Sequence, residues 1–335
     1  MRTLALHLTL LTLTVALGGC LRLTLVDASV RKPSNVAVYF SVVALNKHPV
    51  PGMTAEQFKI YEDGAVVSAF ESKQTILNPE VSVVQYTLLL MDMSGSVTAS
   101  GRVGDLTEAA SLFAEKVSST QQVAVYAFDG QKDIHPIAGF SAGGGNLRGS
   151  IAALQTYKPR DPSTNLNGAV VEGIKVLEQQ MARASQPVRF GTLVVFTDGT
   201  DHAHRVPRAK VMEALDQVGD TMNVYVIGVG AEIDAGELNA IGRSGAILFK
   251  DPSRIRRAFA DLAQIVTDYA HSFYLLSYCS PARAGEHELT IAAHPPGRGT
   301  GKLGYHFNAA GFGPNCDPNT PPVFDVHRPR TQTRK

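Results

Sequence analysis

From residue 83 onward, apolar runs of strand length alternate with stretches in which apolar residues recur every three or four positions. The runs cover residues 84–91, 123–128, 193–196 and 224–229, with a short one at 247–249. Between them, Leu106, Ala110, Phe113 and Val117 form one helical stripe, and Leu166, Ala169, Val170, Gly173, Ile174 and Leu177 form a second. Val211, Ala214, Leu215 and Val218 make a third, and Ile255, Phe259, Leu262, Val266 and Tyr269 a fourth. Each stripe reads as the face a helix turns to a core. Strands alternating with amphipathic helices predict an α/β fold, a doubly wound and mostly parallel central sheet with helices on both faces.

The flanks have a different rhythm. Residues 36–43 are rich in β-branched and aromatic side chains, and Phe58-Lys59-Ile60-Tyr61 alternates before the turn signal Glu62-Asp63-Gly64. Pro49, Pro51 and Gly52 mark a loop between these runs, and Asn78-Pro79 marks the way into the next unit. After Tyr269 the β character returns at 273–276, 288–291 and 303–307, broken by the loop Pro295-Pro296-Gly297-Arg298-Gly299. The chain therefore divides into an N-terminal β region at 20–82, the α/β domain at 83–272 and a C-terminal β region at 273–317. The two β regions are expected to fold together as a small sandwich-like unit. A Pro-rich, then basic tail at 318–335 (Arg328, Arg330, Arg334, Lys335) is expected to be disordered. Internal repeats are not evident.

The first nineteen residues read as a targeting segment. Arg2 supplies positive charge, and residues 4–17 are apolar but too short to span a bilayer comfortably. They end in Leu17-Gly18-Gly19-Cys20, which resembles the lipobox of bacterial lipoproteins. That resemblance implies cleavage after Gly19, lipid on Cys20, and an exported, membrane-anchored protein. Leu21 is not the Asp that typically retains lipoproteins at an inner membrane; in a cell with two membranes this leans toward the outer one, and the expected place is the outer membrane or the periplasmic face or cell surface. The alternative is an ordinary secretory signal followed by an incidental Cys20.

Charge and cysteine content narrow the picture. The full chain carries a formal net charge of +1, and loss of residues 1–19 removes Arg2 and no acid. A chain balanced in this way has no broad field for nucleic acid, so nucleic-acid binding is not expected. With Cys20 lipidated, Cys279 and Cys316 remain as an even pair in an oxidising compartment. A bridge between them would close a loop of 37 residues, which the chain-entropy argument values at about 4 kcal/mol; two separate buried thiols are the alternative.

Three connections carry the candidate chemistry. Asp92-Met93-Ser94-Gly95-Ser96 follows the strand at 84–91, Thr164 stands at the mouth of the second amphipathic helix, and Asp198 follows the strand at 193–196. All would arrive at the carboxyl ends of the strands, where open α/β sheets hold ligands. Every group offered is an oxygen, the donor that hard divalent cations prefer. Taken singly, Asp92, Thr164 or Asp198 would read as a helix cap or turn residue; together they read as a cation site.

The set Asp92, Ser94, Ser96, Thr164 and Asp198 resembles the metal-ion-dependent adhesion site of von Willebrand factor type A domains, over about residues 83–272. The later strand Val224-Tyr225-Val226-Ile227-Gly228-Val229-Gly230 fits the same family, and the flanking β segments resemble a bacterial exported subgroup. The resemblance implies that Ser94 and Ser96 bind the ion directly, with Thr164 joining directly or through water. Asp92 and Asp198 would supply charge, partly through water. Two carboxylates and three neutral hydroxyls suit Mg2+, with Mn2+ or Ca2+ as alternatives. A carboxylate from an Asp or Glu of a protein partner would complete the shell. The same family implies that the helix at 255–269 can shift when the shell changes.

Other motifs point elsewhere only weakly. Asp201, His202 and His204 suggest a zinc or acid–base cluster, but no third ligand is placed by the sequence, and a solvated loop is the favoured reading. Gly143-Gly144-Gly145 lacks the Lys-Ser/Thr ending of a phosphate-binding loop. Gly-x-Ser-x-Gly and His-Glu-x-x-His spacings do not occur, and a metal-assisted hydrolase would lack a positioned base or nucleophile. The chain is thus expected to be a binding protein and not an enzyme. The runner-up is a scaffold or assembly component of an envelope complex, whose metal only orders loops.

Overall fold

The computed structural model describes residues 20–324, apart from 47, 79–82, 144–145 and 232. The expected targeting segment at 1–19 lies outside the described residues, as do two of the three glycines at 143–145. The chain begins with five strands: β1 (Leu21–Arg31), β2 (Asn35–Ala44), β3 (Phe58–Glu62), β4 (Ala65–Val66) and β5 (Thr75–Leu77). The α/β part follows, as β6 (Val83–Asp92), α1 (Gly95–Ala99), α2 (Val103–Val117), β7 (Gln122–Phe128), β8 (His135–Ser141), α3 (Leu147–Ile151) and α4 (Leu166–Arg183). It continues through β9 (Val188–Thr197), α5 (Arg208–Val218), β10 (Met222–Val229), α6 (Ala235–Ile241), β11 (Gly245–Phe249) and α7 (Ile255–Ala270). Three strands close the chain: β12 (Phe273–Cys279), β13 (Glu286–Ala293) and β14 (Gly301–Asn308).

The central sheet has six strands in the order β11-β10-β9-β6-β7-β8, parallel except for β8 at the edge. The doubly wound sheet expected from the sequence is present. Two cores sandwich it. On one face the stripes of α2 and α7 bury Leu106, Phe113, Phe259 and Leu262 against Leu89, Val125 and Phe196. On the other, α4 and α5 bury Leu166, Ile174, Leu177 and Leu215 against Leu88, Leu90 and Val195. The chain leaves β6 toward β7 and later crosses back over β6 to reach β9. That reversal opens a crevice at the carboxyl end of β6, where such folds place ligands. The register pairs Asp92 with Phe128 and Met91 with Phe196, so the residues after three neighbouring strands reach one rim.

The flanks form two four-stranded antiparallel sheets, β1-β2-β12-β5 and β14-β13-β3-β4. Val38, Phe40 and Leu276 of one sheet share a core with Phe58, Ile60, Leu289 and Ile291 of the other. Tyr278 donates to the buried carboxylate of Glu62 across this core (2.8 Å), and burial with that neighbouring charge raises its hydroxyl well above the ordinary tyrosine value. The opposite face of β2 and β12 meets the base of β9, where Tyr39, Phe190, Phe273 and Phe324 cluster. Because α7 runs straight into β12, the central domain and the sandwich share this aromatic seam.

Cys279 and Cys316 are joined by a disulfide. Residues 318–324, grouped by the sequence with a disordered tail, instead lie against β1, β2 and β12. Asn35 donates to the Asp317 carbonyl, Ser277 to that of Pro318 (2.7 Å) and Arg31 to that of Pro321 (3.0 Å). Phe324 is buried in the aromatic seam. The polar, Pro-rich composition hid this because the segment packs through its carbonyls and one phenyl ring. Residues 325–335 lie outside the described residues. Among the described residues, no helix is long and apolar enough to cross a membrane.

Candidate metal centre

Asp92 is the last residue of β6 and is fully buried. Its Oδ1 accepts from the Ser94 main-chain N–H (2.9 Å) and its Oδ2 from the Thr197 hydroxyl (2.7 Å). A short turn therefore begins at the strand end, and α1 starts directly after Ser94, its N-cap. The Ser94 side chain caps nothing; its Oγ lies 3.2 Å from that of Ser96. Ser96 in turn donates to Asp198 Oδ1 (2.9 Å). A continuous run of oxygen atoms thus links the ends of β6 and β9. Thr164 lines the same cavity of about 590 Å³ as Ser96 and Asp198, so all three connections singled out in the sequence arrive at one rim.

The electrostatics of this rim are set by two neighbouring carboxylates. Burial, and then the neighbouring Asp198 carboxylate, push the Asp92 carboxyl up to about 6, against the pull of its hydrogen bonds from Thr197 and Ser94. Bringing two carboxylates together is unfavourable unless a positive charge joins them. The donor set consists of two carboxylates and three hydroxyls, an oxygen-only group that suits a hard divalent ion. Among the described residues no three His, Cys, Asp or Glu side chains gather closely enough to hold a metal alone; an ion at this rim would need the serine and threonine oxygens as well.

A second layer of side chains, not singled out in the sequence, fixes this rim. Asp129 follows β7 and is fully buried. It accepts from the N–H groups of Gln131 (2.8 Å) and Arg160 (2.9 Å) and from the Tyr157 hydroxyl (3.2 Å). Asp161 accepts from both the N–H and the hydroxyl of Ser163 and pairs with Arg205 (2.8 Å), contacts that hold its carboxyl below the usual range. Gly130 packs against this loop so closely that an added Cβ would stand 2.1 Å from Ser163 Oγ and 2.4 Å from the Asp161 carboxyl. The only sequence signal for this brace was an Asp-Gly pair directly after a strand.

The Thr164 segment is held from two further sides. The Ala203 N–H donates to the Thr164 carbonyl (2.9 Å), and that of Asn165 to the Asp129 carbonyl (3.1 Å). Asn165 also caps α4 through Gly168 (3.2 Å). The cavity runs from the rim past Arg102 and His202 to Phe196, Val229 and Ile255 at the start of α7. Of the Asp201, His202 and His204 group, the two histidines are exposed, whereas Asp201 is buried. The loop is therefore not solvated throughout.

The family model of the von Willebrand factor type A domain matches residues 87–200. No curated protein matches the chain. Among solved structures, the chain is similar to a von Willebrand factor type A protein from Catenulispora acidiphila (11% identity, 89% of this chain and 75% of that one, TM-score 0.46). It is also similar to the conserved hypothetical protein BatB from Bacteroides thetaiotaomicron (15% identity, 56% and 98%, TM-score 0.43). A third is proximal thread matrix protein 1 from the mussel byssus with a zinc-occupied adhesion motif (16% identity, 60% and 49%, TM-score 0.40).

Proposed function

For a chain that carries a von Willebrand factor type A domain, we propose the role of an exported, lipid-anchored envelope protein that binds a protein partner through a divalent cation. The observation that supports this most is the oxygen run Ser94–Ser96–Asp198 at the crevice, backed by the buried Asp92. Ser94 and Ser96 would hold the ion, with Thr164 joining directly or through water. Asp92 and Asp198 would supply the compensating charge. When bound, Mg2+ (or Mn2+ or Ca2+) supplies an open Lewis-acid position for an Asp or Glu carboxylate of the partner. The chain's own contribution is to pre-set the hydroxyls. Asp92 fixes the Ser94 turn, and Asp129, Asp161 and Arg205 hold the loop leading to Thr164. Beside the rim, Arg102 and His202 give the cavity mouth groups complementary to an acidic partner.

The anchor belongs to the same reading. Cys20 is exposed, and its carbonyl accepts from the N–H of Leu45, itself an exposed apolar residue. A scaffold role is the second reading, favoured by Asp92 already joining the ends of β6 and β9 through its own hydrogen bonds.

The test is thermal unfolding of residues 21–335 in chelator and then in millimolar Mg2+, Mn2+ or Ca2+, beside Asp92→Ala. A metal-dependent rise lost in the variant supports the site, because a ligand that binds only the native state stabilises it. No rise and no calorimetric heat would sink it. Partner capture that needs the ion and fails with Ser96→Ala separates binding from scaffolding, and mass spectrometry of Cys20 in the native host tests the anchor.

A further inference from the structure

The loop after Asp198 holds a second group of potential ligands that the adhesion site does not use. Asp201 is 6% exposed and Asn167, in the first turn of α4, 5% exposed. The Asn167 main-chain N–H donates to Asp201 Oδ1 (3.1 Å), and its Nδ2 donates to the Val206 carbonyl (3.1 Å). These bonds seat the side chain against the loop at both ends. With Nδ2 committed to a carbonyl, Oδ1 faces inward as an acceptor, buried and accepting from nothing. Exchanging the two amide atoms would set two oxygens against each other at Val206, so the orientation is determined. Asp201 Oδ2 is likewise buried and accepts no hydrogen bond.

The third group is His204, whose Nδ1 stands 3.7 Å from Asp201 Oδ2. That is too long for a hydrogen bond. It is close to the roughly 3.4 Å separating two ligands of a tetrahedral ion whose bonds are about 2.1 Å. His204 also sits at φ +50°, a region sparsely used by residues other than glycine. In the sequence, Asp201 and His204 lacked a third ligand; the fold seats Asn167, from another element, against the Asp201 carboxylate through its main-chain N–H. The surroundings are acidic, since burial and the charges of Asp201 and Asp234 raise the nearby Glu237 carboxyl, against Arg208 and His204.

We infer that Asp201 Oδ2, His204 Nδ1 and Asn167 Oδ1 form a second cation site, with water in the remaining positions. A carboxylate, an imidazole and an amide oxygen make a donor set of borderline softness, which suits zinc better than magnesium or calcium. Such an ion would clamp the 201–206 loop to the start of α4. The same loop donates from Ala203 to the Thr164 carbonyl and begins three residues after Asp198. The second site would therefore stiffen the frame of the first without sharing a ligand with it.

Zinc titration of metal-free protein carrying Asp92→Asn tests this apart from the adhesion site. The expected result is one zinc per chain by calorimetry and native mass spectrometry. Adding His204→Ala or Asp201→Asn should weaken it at least tenfold, while His202→Ala, on the neighbouring exposed histidine, should leave it unchanged. No zinc bound, or zinc insensitive to His204→Ala, would overturn the inference. The latter would assign the ion to other histidines among the ten of the chain. A crystal soaked in zinc that shows only water between Asp201 Oδ2 and Asn167 Oδ1 would overturn it too. Failure of magnesium to stabilise the unmutated protein would count against the adhesion site and leave this result standing.

Discussion

Replacing Asp92 by Asn should change stability with opposite sign in the absence and presence of metal. The isosteric amide keeps the local bonds. Its Oδ1 can still accept from the Ser94 N–H, and its Nδ2 can donate to Thr197 Oγ1, whose proton then turns to the Gly199 carbonyl at 3.3 Å. What it removes is a buried negative charge beside Asp198. The Asp92 carboxyl is raised from 3.8 to about 6, a rise worth about 3 kcal/mol at 1.36 kcal/mol per pH unit. An acid whose value is raised by folding contributes stability that is fully present below its unfolded value. That contribution is lost as pH climbs through the folded one. Chelated wild-type protein should therefore weaken between about pH 4 and pH 6, and Asp92→Asn should lack that part of the fall. Above pH 6 the variant should be the more stable of the two in chelator, by up to about 3 kcal/mol less the cost of burying the amide. In saturating Mg2+ the order should reverse, because only the wild type gains RT ln(1 + [L]/Kd). Urea unfolding followed by circular dichroism suits the measurement, since the chain has no tryptophan. A variant less stable than wild type in chelator at neutral pH, or a stability difference that ignores pH, would refute the reasoning.

Four further outcomes are expected. Gly130→Ala should weaken the metal at least tenfold in calorimetry without touching a ligand, because the new Cβ collides with Ser163 and Asp161. Substituting both Cys279 and Cys316 by Ser should lower stability to chemical denaturant by roughly 2–4 kcal/mol and expose residues 309–324 to protease, since the bridge ties that segment to β12. His287 donates between Asp63 (2.7 Å) and the Ala284 carbonyl (2.9 Å), contacts that raise the imidazole and, with the Glu288 N–H, lower Asp63. The pair should thus stabilise the sandwich above the ordinary Asp value and fade as pH rises through the raised imidazole value; an NMR titration of His287 that does not move down in Asp63→Asn would contradict this. Phe259→Ala, which empties the contact of α7 with Phe113 and Phe196, should cost roughly 3–5 kcal/mol by denaturation.

The parts legible in the sequence share one property: their signal is periodic or contiguous. The stripes Leu106–Val117 and Ile255–Val266 repeat at helical spacing because each has a single buried face, and both helices occupy one side of the sheet. Strand β8 was missed because an antiparallel edge strand, His135–Ser141, buries only Ala138 and so shows no apolar run. Strand β1 was hidden by its own mixture, with Thr24, Asp27 and Arg31 interrupting the apolar positions and a register shift between Leu25 and Asp27. The same distinction runs through the rim. Asp92, Ser94 and Ser96 are adjacent and could be read together, whereas the groups that hold them are joined only by the fold. Asp129, Asp161 and Arg205 come from three connections, and each alone is an ordinary polar loop residue.

Asp201 sharpens that distinction. By sequence it belongs with two exposed histidines on a loop that should be wet. Its burial is decided by Asn167, thirty-four positions earlier, whose N–H sits at a helix start and needs an acceptor. Once that bond forms, one carboxylate oxygen is spent on the helix and the other is carried inward with it, away from water and without a donor. A capping interaction thus leaves an unsatisfied carboxylate oxygen beside the rim, and burial of that kind calls for a cation or an ordered water. A water and a metal ion part company here on His204. Water can satisfy Asp201 and Asn167 with the imidazole pointing anywhere, whereas an ion shared with His204 needs its Nδ1 near Asp201 Oδ2, where it stands at 3.7 Å.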